Sequence, residues 1–279
     1  MPLDQIDVDK IEDKESTEMS FLDHLEALRW HLMRSIMAIG VGAIAVFMAK
    51  DFVFNTIIFG PRNADFITYR MICALSEAIC FEPPEFQIIT RDLAEKFLVH
   101  FKSSIVLGIV IAFPYVFWEV WRFIKPALYE REQKAARGIV FICSVLFLTG
   151  VSFGYFILSP FSISWLAGYE VGGVMATPTL ASYMNYMVMF TLPIGLVFEL
   201  PVVVYFLAKL GIVTAEGMRK QRKLAFLVIL IIGAIVTPAD VLTMFIVAVP
   251  LYILYEAGIV IAIRANKIYE KSLKKLDDA

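Results

Sequence analysis

Glu199 is the one acid in the stretch MFTLPIGLVFELPVVVYFLAKL, Met189 to Leu210, and prolines Pro193 and Pro201 bracket it. Burying an acid mid-bilayer costs roughly 3 kcal/mol on insertion scales. If the span covers 186–208, Glu199 lies about 20 Å from one end and about 14 Å from the other, too deep for a short side chain to reach headgroups. Two readings follow: an acid hydrogen-bonded to a neighbouring helix, or one lining a polar face used by a partner or substrate. The spacing favours the second. Met187, Thr191, Gly195 and Glu199 recur every four residues on one stripe. Thr191 adds a hydroxyl, and Gly195 lets another backbone approach. Pro193 and Pro201 free the carbonyls of Met189 and Val197, which in lipid must find other partners.

The remaining reactive residues form no set. Glu119, beside Trp118 and Trp121, reads as an interfacial acid in an aromatic belt. His24, His31 and His100 lack metal-ligand spacing, and no HExxH, Walker loop, GxSxG or dinucleotide fingerprint occurs. Neither an enzyme nor a metal or cofactor site is expected. Cys143 falls in an apolar run and reads as a buried thiol. Cys73 and Cys80 share a long loop, where a disulfide fits an oxidising space. On one continuous helix, however, seven residues set them about 10 Å apart, too far to bridge.

These residues must be carried by membrane-spanning helices. The chain is 59% hydrophobic and 19% charged, with a mean hydropathy of +0.73. Soluble domains average about 45–50% apolar and about 25% charged. Runs near 30–49, 102–121, 138–160, 186–208, 224–239 and 241–256 read as six spans of an all-α polytopic membrane protein. The last two are short and separated by TPAD, Thr237 to Asp240, where Pro238 predicts a tight hairpin. Nineteen of the 25 Lys and Arg residues fall in 1–34, 122–137, 209–223 and the tail from Arg264; the other six lie within 50–102. Positive loops stay inside, so both termini are expected in the cytoplasm, with 50–101 and 160–185 outside.

Residues 1–19, with seven acids against two lysines, read as a solvated, disordered acidic arm and not as a secretory leader. Ser20 reads as an N-cap. Phe21, Leu25, Leu28 and Leu32 then follow at helical spacing, predicting an amphipathic stretch along the cytoplasmic surface. The expected domains are this arm, a six-helix membrane domain over 20–264 and a charged tail over 265–279. The 50–101 loop is long enough to hold helical turns that cap the bundle.

Several stretches together resemble one family, the TatC subunit of the twin-arginine protein translocase. They are HLEALRWHL (24–32), VWRFIKPALYERE (120–132), FGYFILSP (153–160), FELPVV (198–203) and TPADVLTMFIVAVPLYILYE (237–256), in order. The resemblance implies a concave six-helix bundle with a structured extracytoplasmic cap in the bacterial inner membrane. It also implies a receptor that binds twin-arginine signal peptides on its cytoplasmic face. Such a receptor works with single-span TatA- and TatB-type subunits and other copies of itself, draws on the proton-motive force, and binds no nucleic acid. Glu132, Phe123 and Pro126 match the family's cytoplasmic-loop positions, and Arg29 matches the arginine of its HLxELR motif. That motif's glutamate falls at Ala27 here; Glu26, one residue earlier and turned about 100° around the helix, stands in for it. Glu199 matches the fourth-span glutamate, where a partner helix or inserted signal peptide is expected to dock, and Asp240 and Tyr155 match outer polar positions. Met244 stands where some members carry glutamine. The rival function is a proton-coupled secondary transporter using Glu199. It predicts discontinuous helices in two related halves, and only one strongly polar span is visible.

Overall fold

The computed structural model describes residues 21–75, 80–81, 83, 86–124, 136–169, 172–173, 176–237 and 241–277. Expectations for the arm 1–19, Ser20, Pro126, Glu132, Pro238 and Asp240 lie outside these residues. The described chain is helical, and its one β feature is an isolated parallel bridge between Ile89 and Thr179. The order is α1 (Phe21–Met48), α2 (Ile67–Leu75), α3 (Glu95–Ile124), α4 (Ala136–Phe153), α5 (Ser159–Gly168), α6 (Leu180–Val197), α7 (Leu200–Lys209), α8 (Ala215–Lys220), α9 (Arg222–Val236) and α10 (Val241–Asp277).

Among the described residues, five helical runs are long and apolar enough to cross a membrane: Leu25–Met48, Glu95–Ile124, Gly138–Gly168, Leu180–Lys209 and Val241–Asn266. Between the last two, α9 is apolar but has 15 residues, about 22 Å of rise against a core of about 30 Å.

Several boundaries differ from those expected, each for a local reason. The stretch predicted to lie along the membrane surface is the beginning of α1 itself, since no Gly or Pro interrupts residues 21–39. Helix α3 starts seven residues earlier than expected. Its first turns hold Glu95, Lys96, His100 and Lys102, and the Glu95 carboxylate accepts from the Arg91 N–H at 2.7 Å. Helix α10 passes residue 256 and runs to Asp277, because no proline follows Pro250. The fourth span is broken rather than merely kinked. Phe198 and Glu199 form a turn between α6 and α7, with Pro201 in the first turn of α7, where a missing N–H costs least.

Glycines set two close helix contacts. A Cβ on Gly108 of α3 would come within 2.7 Å of the Ala43 backbone nitrogen, and one on Gly42 within 3.1 Å of the Gly108 carbonyl. A Cβ on Gly150 of α4 would meet the Gly195 Cα at 2.9 Å. Without a hydrophobic driving force between helices in lipid, such contacts let backbones approach and gain dispersion energy. Helix α1 packs on α3, α3 on α4 and α6, α4 on α6, and α7 and α9 on α10.

One end of the bundle is capped by the described residues of the two connecting segments, 50–75, 86–94 and 176–180 among them. Tyrosine hydroxyls fasten it: Tyr155 donates to the Ile57 carbonyl at 2.8 Å, Tyr183 to Ile58 at 2.9 Å and Tyr69 to Pro61 at 2.8 Å. Burial pushes the Tyr69 phenol above its ordinary pKa, keeping it a donor. Glu95 also accepts from the Ala181 N–H at 2.8 Å, tying the start of α3 to the start of α6. The long loop therefore holds helical turns that cap the bundle.

Candidate functional site

At mid-bundle, the α6–α7 break presents Glu199. Both carboxylate oxygens are shielded from solvent and find no strong donor among the described residues; the weakly donating Cys143 thiol and the Phe147 backbone of α4 lie beside them. Cys143 and Phe147 are fully buried, so the acid sits against a dry wall. An unpaired buried polar group costs about 1–3 kcal/mol, so a donor brought by another helix would be stabilising there.

The other members of the predicted stripe behave differently. Thr191 donates to the Met187 carbonyl at 2.8 Å and borders a small apolar cavity of about 40 Å³ that Tyr155 also lines. Gly195 is buried, and a Cβ there would meet Phe147 and Val151 at 2.9 and 2.8 Å. The backbone approach that Gly195 permits is thus to α4 of the same chain. Tyr155, predicted as an outer polar position, spends its hydroxyl on the cap.

At the opposite end, the residues of HLEALRWHL divide by face. Glu26 and Arg29 are exposed on α1. Ala27, His31 and Ser35 recur every four residues and turn toward α3, with Ser35 buried. Opposite His31 stands Glu119 of α3, near the end of its span and 1% exposed. Its Oε2 lies 2.5 Å from His31 Nδ1, and its Oε1 accepts from the Tyr115 hydroxyl at 3.0 Å. Arg122 and Arg34 flank the carboxylate at 3.7 and 4.0 Å, and Arg122 also stacks over Trp118. Phe123, one of the residues that the resemblance singled out, meets the His31 ring edge-on at 6.2 Å. No signal in a single sequence pairs residues 88 positions apart. The only hint is that Glu119 lies four residues after Tyr115 on one helix face.

Within the cap, Cys73 and Cys80 are joined in a disulfide with Cα atoms 4.3 Å apart. Helix α2 ends at Leu75, so the continuous-helix geometry that would separate them does not apply. No cluster of His, Cys, Asp or Glu able to hold a metal occurs among the described residues.

Apolar helices of membrane length, an enclosed acid at a broken span and an ionic cluster at one end make this a polytopic helical membrane protein. Residues 23–250 match the family model described as TatC, Sec-independent protein translocase protein. The chain is 35% identical over 261 residues to Sec-independent protein translocase protein TatC of Blattabacterium sp. subsp. Periplaneta americana, covering 91% of this chain and 98% of that one. It is 32% identical over 263 residues to the TatC of Aquifex aeolicus, covering 94% and 100%. Two crystal structures of the twin arginine translocase receptor TatC, one in the detergent DDM, superpose with TM-scores of 0.67 and 0.68. Each is 32% identical, and they cover 87% and 86% of this chain and 99% of theirs. The chain belongs to the TatC family of Sec-independent protein translocase proteins. It is a transport component and not an enzyme.

Proposed function

We propose that this chain is the receptor and assembly core that recognises twin-arginine signal peptides and gathers single-span partner subunits to export folded proteins. The reading is carried by the whole-length likeness to solved twin-arginine receptors, across the segments that hold Glu26, Arg29, Phe123 and Glu199. The topology is six spans, α9 included, in the bacterial inner membrane with both termini in the cytoplasm. The distribution of Lys and Arg supports it, with the cap outside and the Glu119 end inside.

Guanidinium groups pair bidentately with carboxylates, so a twin-arginine tag calls for acids on the cytoplasmic rim. Glu132 and Glu26 supply them, with Arg29, Phe123 and Pro126 shaping the surface around the tag. Glu199 and Thr191 mark where a TatA- or TatB-type helix, or the inserted signal peptide, docks from the bilayer. Further copies of the chain assemble alongside, and the proton-motive force drives the cargo.

The test is export. Expressed in cells lacking their own receptor subunit but holding the single-span partners, the chain restores export of a folded fluorescent reporter bearing a twin-arginine signal. A twin-lysine signal is not exported. Failure of both signals with the protein correctly inserted overturns the reading.

A further inference from the structure

We infer that His31 and Glu119 form a polar latch that fixes the first helix against the second span and thereby positions the recognition face around Phe123. The inference deepens the receptor reading and rests on it for the identity of the ligand. It names two positioning residues, neither of which touches the peptide.

Glu119 is too enclosed to bind a guanidinium from outside, and each of its oxygens already has a partner within the protein. His31 takes Oε2 and Tyr115 takes Oε1, while Arg34 and Arg122, each about half exposed, stand at the rim. Those four groups, from α1 and α3, are the titratable or charged side chains described against it. The contact is the main polar tie between α1 and α3 at this end, since Gly42 and Gly108 hold the same helices together nearer the middle. His31 lies one turn beyond Ala27 on the α3-facing stripe, where the resemblance places an acid. The carboxylate on that side of α1 thus comes from α3. His31 in turn meets Phe123 across its ring edge, so loosening the latch frees both the start of α1, with Glu26 and Arg29, and the end of α3.

A tenfold change in affinity, about 1.4 kcal/mol, lies within the coupling that contacting residues show. Two readouts on the purified full chain test the latch: affinity for a twin-arginine peptide, and the distance between nitroxide labels at Leu28 and Ile124. Glu119→Gln and His31→Ala are each expected to broaden the distance distribution and weaken the peptide about tenfold. The double variant should be no worse than either single one. His31→Arg, which keeps a hydrogen-bond donor opposite Glu119, should restore both readouts; a merely space-filling role would not be rescued this way. A narrow distance in both single variants, an unchanged affinity despite a broadened distance, or no rescue by His31→Arg overturns the proposal. Should Glu119→Gln fail to fold, the two His31 variants carry the same test. Should the wild-type chain bind no twin-arginine peptide, the receptor reading falls, while the label distances still decide the latch.

Discussion

Glu132→Lys abolishes binding of a twin-arginine peptide, weakening it at least about 100-fold while the protein still folds and inserts. Two effects add. The substitution removes the carboxylate proposed to take a guanidinium through two parallel charge-assisted hydrogen bonds, and it places a cation where another is proposed to sit. Truncating one partner of a hydrogen-bonded charge pair already costs about 2–5 kcal/mol, and 100-fold needs about 2.7. Glu132→Gln, which keeps the shape and one acceptor oxygen, falls between wild type and lysine. Fluorescence anisotropy with a labelled signal peptide distinguishes the three. Equal affinities for wild type and Glu132→Lys would remove Glu132 from the binding face.

Glu199→Ala separates stability from function in opposite directions. In the resting chain both carboxylate oxygens are enclosed without a strong donor among the described residues. Removing an unsatisfied buried polar group recovers about 1–3 kcal/mol of desolvation, partly offset by the small cavity left beside Cys143 and Phe147. The melting temperature in detergent should therefore stay level or rise. A partner helix that supplies a donor to Glu199 loses that bond, so site-specific cross-linking between a partner span and the α6–α7 region should drop severalfold, and export with it. Unchanged cross-linking together with unchanged export would leave Glu199 with no role in docking.

What could be read before the structure depended on whether a property was local. The apolar runs carry their own signal, so five long spans were legible in their order, while the 15-residue α9 falls short of the length that would mark it as a sixth. The ends of the spans were not legible. Glu95, Lys96, His100 and Lys102 look like a loop until Glu95 is seen holding the backbone N–H groups of Arg91 and Ala181. The charged run over 265–279 looks like a separate tail, though its backbone continues α10 to Asp277.

The same division runs through the site. Glu199 stood out because an acid in an apolar run is anomalous wherever the helices go. Gly195 stood out too, but which backbone it admits is a tertiary fact, and the answer is α4. Glu119, beside two tryptophans near a span end, gave no sign of being enclosed. Its burial depends on His31 arriving from another helix.

The central claim is that acids on this protein's cytoplasmic rim read a pair of arginines as guanidinium groups, and not merely as positive charge. The most direct measurement compares the affinity of the purified chain for one signal peptide with its two arginines intact and with both changed to lysine, at a single salt concentration. The account predicts at least about tenfold tighter binding of the arginine peptide, since lysine keeps the charge but loses the planar two-pronged fork. Equal affinities for the two peptides, or no binding of either, would contradict it.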